Sequence, residues 1–351
     1  MKKTIITLLQ LIVTLAVLYW VFHDPAKRAQ MSLAIFGDAT HPRVDYRWIF
    51  AGVLSYILVE IAALCRWQIL LKVQQIHLSI PRVAGLFFIG MFFNQFLPGG
   101  TGGDIMKTYL LLKEAPTKKM GAVLAVVFDR LVGLVALIMI TGTLIALRYQ
   151  FLSRTPETRQ LLLGLLVIFG SAVVGLLTTF IISGFNLLHL LPHKFPGREK
   201  LIELSAAYHL YARHWIATLA AFATSVVAHL ATFLTFFCVA QAFTKSAGVG
   251  LIDFFSIMPI ERTVSSLPIS LAGIGWREKV LQILLSQLCH IDENVAALIG
   301  SMSFLIILIC CVPGGLVYFL YKPSGAVGRV KFRDMEREVA TVEHEIGEKE
   351  E

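Results

Sequence analysis

Six apolar runs, each long enough to cross a bilayer, dominate the chain: Ile5–Phe22, Arg47–Leu71, Met120–Leu147, Leu161–Gly184, Trp215–Ala242 and Val295–Tyr321. A helix rises about 1.5 Å per residue, so about 20 apolar residues cross about 30 Å of hydrocarbon. One soluble core of a 351-residue chain cannot hide that much apolar surface. The composition agrees: 56% of residues are hydrophobic, 15% are charged, and the mean hydropathy is +0.73. The expected fold is an all-α polytopic membrane protein. A soluble enzyme, a disordered chain and a secreted disulfide scaffold are excluded. Ile5–Phe22 follows Lys2 and Lys3 but lacks a small-residue cleavage site, so it reads as an uncleaved anchor.

Two further apolar segments are too short to cross comfortably. Val83–Leu97 stops at Pro98, Gly99, Gly100, Thr101, Gly102 and Gly103, and Asp104–Lys113 follows as a second short helical run. Leu251–Leu267 carries Asp253, Glu261 and Arg262, stops at Pro268 with Gly273 and Gly275 close behind, and is followed by Trp276–Cys289. The economical reading is two re-entrant hairpins broken at Pro and Gly. Irregular backbone at membrane depth is tolerated only inside protein or beside a watery cavity, so the breaks point to an internal site. With the N-terminus in the cytoplasm, most Lys and Arg fall on that side, and the other side holds Lys27, Arg28, Arg43, Arg148, Arg154, Arg159 and Lys245. This asymmetry predicts both termini in the cytoplasm of a bacterial inner-membrane protein. The hairpins then enter from opposite faces, as in an inverted repeat. A local echo supports this: Lys107 and Arg277 each lie nine residues after Pro98 and Pro268 respectively. Residues 1–321 read as the transmembrane domain, and residues 322–351 as a charged cytosolic tail.

Charges at membrane depth are costly and usually face an interior. Glu60 lies mid-span. Arg66, six residues on, is off its face and reads as snorkelling to the surface. Asp129 and Arg130 sit well inside their span, either as a structural ion pair or as a site wall. The first hairpin offers Asn94, Gly103, Asp104 and Lys107. A helix starting at Asp104 would present N–H groups to an anion, with Asp104 competing as a cap. The second offers Glu261, Arg262, Ser270, Arg277 and Glu278, whose arginines suit phosphate. Phe195–Arg213 reads as an interfacial helix with Tyr208 and Tyr211 at head-group level. His229 reads as a satisfied core histidine. Cys65, Cys238, Cys289, Cys310 and Cys311 lack metal spacing, and neither a disulfide, a metal nor a cofactor is expected. The net charge of +8 is assigned to cytoplasmic loops, not to nucleic acid. No zinc-protease, serine-hydrolase, redox or nucleotide-loop motif is present, so no enzymatic activity is expected.

Three stretches in order resemble a known family: Asn94-Gln-Phe-Leu-Pro-Gly-Gly-Thr-Gly-Gly-Asp-Ile-Met-Lys107, Asp129-Arg-Leu-Val-Gly-Leu134, and Leu267-Pro-Ile-Ser-Leu-Ala-Gly-Ile-Gly-Trp-Arg-Glu278. They are similar to the lysylphosphatidylglycerol synthase transmembrane (flippase-like) family. The resemblance implies a module that moves a phospholipid between leaflets. In two-domain members a soluble C-terminal domain makes the aminoacylated lipid, and this chain looks like a stand-alone member without it. Lys107 stands where Arg is common in the family. The resulting expectation is a lipid translocase holding a phospholipid or polyprenyl-phosphate head group, anionic or zwitterionic, between the hairpins. The expected binding residues are Asn94, Pro98, Gly99, Gly103, Asp104, Lys107, Asp129, Arg130, Glu261, Arg262, Pro268, Ser270, Gly273, Gly275, Arg277 and Glu278. A non-transporting partner of a lipid-modifying enzyme and a membrane lipid-glycosyl transferase are the alternatives.

Overall fold

Long helices form where apolar residues run unbroken. A computed structural model describes residues 44–96, 102–184, 198–243, 249–265 and 276–321. Among the described residues there are ten α-helices: α1 Tyr46–Val73, α2 Ile80–Phe96, α3 Gly102–Glu114, α4 Lys119–Leu152, α5 Pro156–Gly184, α6 Arg198–Arg213, α7 Trp215–Phe243, α8 Leu251–Ser265, α9 Trp276–Cys289 and α10 Glu293–Leu320. Of these, α1, α4, α5, α7 and α10 are long and apolar enough to cross a membrane. They match five of the six expected spans to within a few residues, and the chain is an all-α polytopic membrane protein. The sixth, Ile5–Phe22, lies outside the described residues, as do the charged tail and the Pro/Gly breaks. Apolar side chains left exposed, such as Ile57 and Leu58 on α1, Met139 on α4, Val167 on α5 and Ile309 on α10, are the lipid-facing surface such a bundle needs.

The two short pairs are hairpins. Arg82 near the start of α2 pairs with Glu114 at the end of α3 at 2.5 Å, while the Gly103 N–H donates to Asn94 Oδ1 at 2.9 Å near the other end. The arms therefore run antiparallel and share one base. In the second hairpin Asp253 of α8 acts electrostatically on Cys289 of α9, again joining start to end. The described parts of α2, α3, α8 and α9 hold 17, 13, 15 and 14 residues, about 20–25 Å each.

The helix order repeats. A long helix, two short ones and a long one form α1–α4, and the same order forms α7–α10. The packing repeats as well: α2 lies on α10 as α8 lies on α4, α1 meets α4 as α7 meets α10, and α4 meets α7 as α10 meets α1. The two lead helices form the central pair. The Asp45 N–H reaches the Ala242 carbonyl, Gly52 lies against Thr235 and Cys238, Ser55 Oγ donates to the Ala231 carbonyl, and Arg66 reaches Ser225. Numbers rise on α1 as they fall on α7, so the equivalent helices are antiparallel. The operation relating the halves turns one upside down, which makes this an inverted repeat. Its hairpins open from opposite ends of the bundle.

In lipid there is little hydrophobic drive between helices, and close packing holds them instead. Gly52 and alanines such as Ala228 and Ala231 serve that purpose on the α1/α7 seam. At the α2/α10 seam a Cβ on Gly314 would overlap the Phe88 carbonyl, so only glycine allows this approach.

Candidate functional site

The sharpest cluster sits where α3, α4 and α1 meet. Asp129 is 4% exposed, and its Oδ1 accepts from Arg66 Nε at 2.7 Å. Its Oδ2 lies 3.5 Å from Lys107 Nζ. Lys107, also 4% exposed, rests its ammonium over the Trp67 ring at 4.2 Å and the Phe87 ring at 5.3 Å. Arg66 also donates to Ser225 Oγ at 3.2 Å. A cation on two aromatic faces and one shared carboxylate is held partly by the ring quadrupoles. Beside this group, Arg130 donates from Nε at 2.6 Å and from Nη2 at 2.9 Å to the two oxygens of Asp104. Three cations thus face two carboxylates, leaving one net positive charge in a mostly water-poor place.

The local fold explains how Lys107 gets there. A Cβ on Gly90 would overlap the Lys107 side chain, and one on Gly103 would overlap the Gly90 carbonyl and Asn94. The two glycines let α2 and α3 close to contact and give the lysine its channel. Gly102 and Gly103 are already helical, so Asp104 lies inside α3 and not at its start. Asn94 takes the Gly103 N–H and Asp104 gives both oxygens to Arg130, so Asp104 acts as a pairing residue and not as the competing cap.

One sequence expectation is corrected. Arg66 does not snorkel: it turns inward, because Asp129 and Ser225 satisfy it there. Tyr211 is buried, stacks on Phe128 at 4.1 Å, and donates to the Leu70 carbonyl at 3.3 Å, near the end of α1. Burial pushes its phenol up to about 12. Tyr208 meets the edge of the same Phe128 ring at 5.1 Å. His229 contacts the Gly133 carbonyl at 3.0 Å, a satisfied core histidine as expected.

Of the expected site residues, the structure brings together Asn94, Gly103, Asp104, Lys107, Asp129 and Arg130. Glu261 is fully buried on α8, and Arg262 is close enough to act electrostatically on Tyr56 and His229. Arg277 and Glu278 belong to α9. Pro98, Gly99, Pro268, Ser270, Gly273 and Gly275 lie outside the described residues. Sequence reasoning missed Trp67 and Ser225. Trp67 sits next to Arg66, and an aromatic beside a buried cation is the only local hint.

The sequence profile of the lysylphosphatidylglycerol synthase TM region family matches residues 6–315. The chain belongs to that family. Within curated relatives, a UPF0104 membrane protein of Pyrococcus horikoshii is 26% identical over 140 residues, which is 39% of this chain and 38% of that protein. The match thus spans well under half of that relative. No solved structure matches. For this lysylphosphatidylglycerol synthase TM region protein, the Lys107 cluster lies inside the matched residues, as do both hairpins.

Proposed function

We propose that this chain is a lipid translocase of the bacterial inner membrane, with both termini in the cytoplasm, that carries a phosphate-bearing head group between two re-entrant hairpins. Family membership is consistent with a membrane protein of lipid metabolism or transport. The observation that carries the finer reading is Lys107, buried on Trp67 and sharing Asp129 with Arg66, towards the end of the α2/α3 pair where Asn94 meets Gly103. An arriving phosphate would replace part of Asp129 as the partner of both cations, by charge-assisted hydrogen bonds. The local excess of one positive charge favours such an anion. Counted from the helix starts, Gly90 of α2 corresponds to Glu261 of α8, so the second hairpin presents a buried acid where the first makes room for a base. That pairing suits a zwitterionic head group, with phosphate at Lys107 and an amine towards Glu261. Chemistry on the lipid is not part of this reading.

The test is leaflet-specific movement of fluorescent lipids in proteoliposomes across a panel of head groups. Wild type should move one head-group class, and Lys107→Met should abolish the movement while eluting as a folded protein. Movement of no lipid by the folded, oriented wild type would leave a binding partner of a lipid-modifying enzyme as the better reading. Equal movement by wild type and variant would remove Lys107 from the site.

A further inference from the structure

Glu60 has no part in the cluster above. It is 6% exposed, and its Oε1 has no hydrogen-bond partner among the described residues. It lies at the middle of α1, about 20 Å from either end, and therefore at the centre of the antiparallel α1/α7 pair on which the repeat turns. The groups around it are few. Tyr56 on its own helix and Cys310 and Cys311 on α10 feel its charge, and Arg262 of α8 acts on Tyr56. On α7 the titratable residue at this depth is His229, which occupies the same helical step as Glu60 and is turned to the Gly133 carbonyl of α4. On α4, Asp129 is taken by Arg66 and Lys107. On α2, Arg82 is at the far base, paired with Glu114.

A carboxyl group buried without a counter-ion is stable in its neutral form, and ionises only when water or a cation reaches it. Ionisable groups at mid-bilayer are the usual stations of proton relays. In an inverted repeat, the midpoint of the central pair is the place that alternates between the two faces as the halves rock.

We propose that Glu60 is a proton-binding site that couples lipid movement to the transmembrane proton gradient. The carboxylate takes one proton from the face to which the centre is open, crosses the conformational change as the neutral carboxyl, and releases that proton to the other face. The coupling rests on the translocase reading, whereas the proton site itself does not.

Two measurements separate them. Infrared difference titration of the full chain in lipid, between about pH 5 and pH 9, should show a protonated-carboxyl band that disappears in Glu60→Gln and persists in Asp129→Asn. If wild type and Glu60→Gln give the same band, the proton site is overturned. Proteoliposomes with an imposed pH gradient should then bias lipid movement towards one leaflet several-fold, with Glu60→Gln retaining movement but losing the bias. Movement in wild type that ignores the gradient overturns the coupling and leaves the translocase standing. No movement in wild type overturns both the translocase and the coupling, and the infrared titration still decides the proton site. Glu60→Asp, which keeps the acid on a shorter arm, should recover part of the band and of the bias, whereas a bias in Glu60→Gln equal to wild type would sink the proposal.

Discussion

The two halves share a fold but not a chemistry. Counted from the helix starts, Arg66 of α1 corresponds to Thr235 of α7 and Asp129 of α4 to Ser303 of α10. In the first half these two positions form a buried ion network with Lys107. In the second, Thr235 and Ser303 are fully buried and each returns its hydroxyl to the carbonyl four residues back, at 3.0 and 2.7 Å. There the same two positions are satisfied by hydroxyls. Buried charge is expensive, and a packed neutral set is often as stable or more so. The fold alone does not call for the charges of the first half, which is what the proposed head-group site would explain.

The largest expected effect tests that difference. Asp129→Asn strands Arg66 and Lys107 without their carboxylate and should cost about 3–5 kcal/mol, read as a fall in the thermal midpoint in detergent. Installing the second-half pair, Arg66→Thr with Asp129→Ser, together with an apolar Lys107→Leu, should return stability to near wild type and still abolish lipid movement. A triple variant that moves lipid would show that the halves differ for some other reason.

A smaller effect concerns how tightly the first hairpin is closed. Gly103→Ala pushes a methyl into the Gly90 carbonyl and Asn94, and should cost about 1–3 kcal/mol by overpacking. Gly164→Ala on α5, outside both halves, has open space around it and should be neutral or slightly stabilising, by up to about 1 kcal/mol. Equal losses at both sites would argue against a seam built on contact.

The smallest effect distinguishes the hairpin bases. The first is tied by Arg82, Glu114 and the Tyr321 hydroxyl, which donates to Glu114 Oε1 at 2.8 Å; the second is tied by Arg148 and Asp253. Burial first, and then the hydrogen bond to Glu114 and its charge, raise the Tyr321 phenol above its ordinary value. A raised acid contributes fully below the unfolded value, about pH 10 for tyrosine, and loses that contribution as pH climbs through the folded one. Thermal melts against pH should show an alkaline step that Tyr321→Phe removes at a cost of about 0.5–1.5 kcal/mol at neutral pH. Asp253→Asn should leave the step in place.

Much of this architecture could be read before any coordinates. Apolar run length places the helices, because each span must satisfy its own backbone in lipid. The cluster was half readable. Lys107, Asp104 and Asp129 are conspicuous as charges among apolar neighbours, but Arg66 and Asp129 are 63 residues apart, and no local pattern says that they meet. The six-residue step between Glu60 and Arg66 did report correctly that they face different ways: Arg66 turns to α4 and α7, Glu60 towards α10. The inverted repeat was visible only as an echo around two prolines. Its proof is the exchange of packing partners, which depends on the whole chain.

That exchange has a consequence for biogenesis. The hairpin of the first half is covered by α10, which leaves the ribosome after the other nine described helices, through the contact of Phe88 with Gly314, while the hairpin of the second half docks on α4, which is already in place. For most of synthesis, then, α2 and α3 wait in the bilayer with one flank open. Neither half can mature alone, and a chain stalled before α10 is the species that membrane quality control should find first.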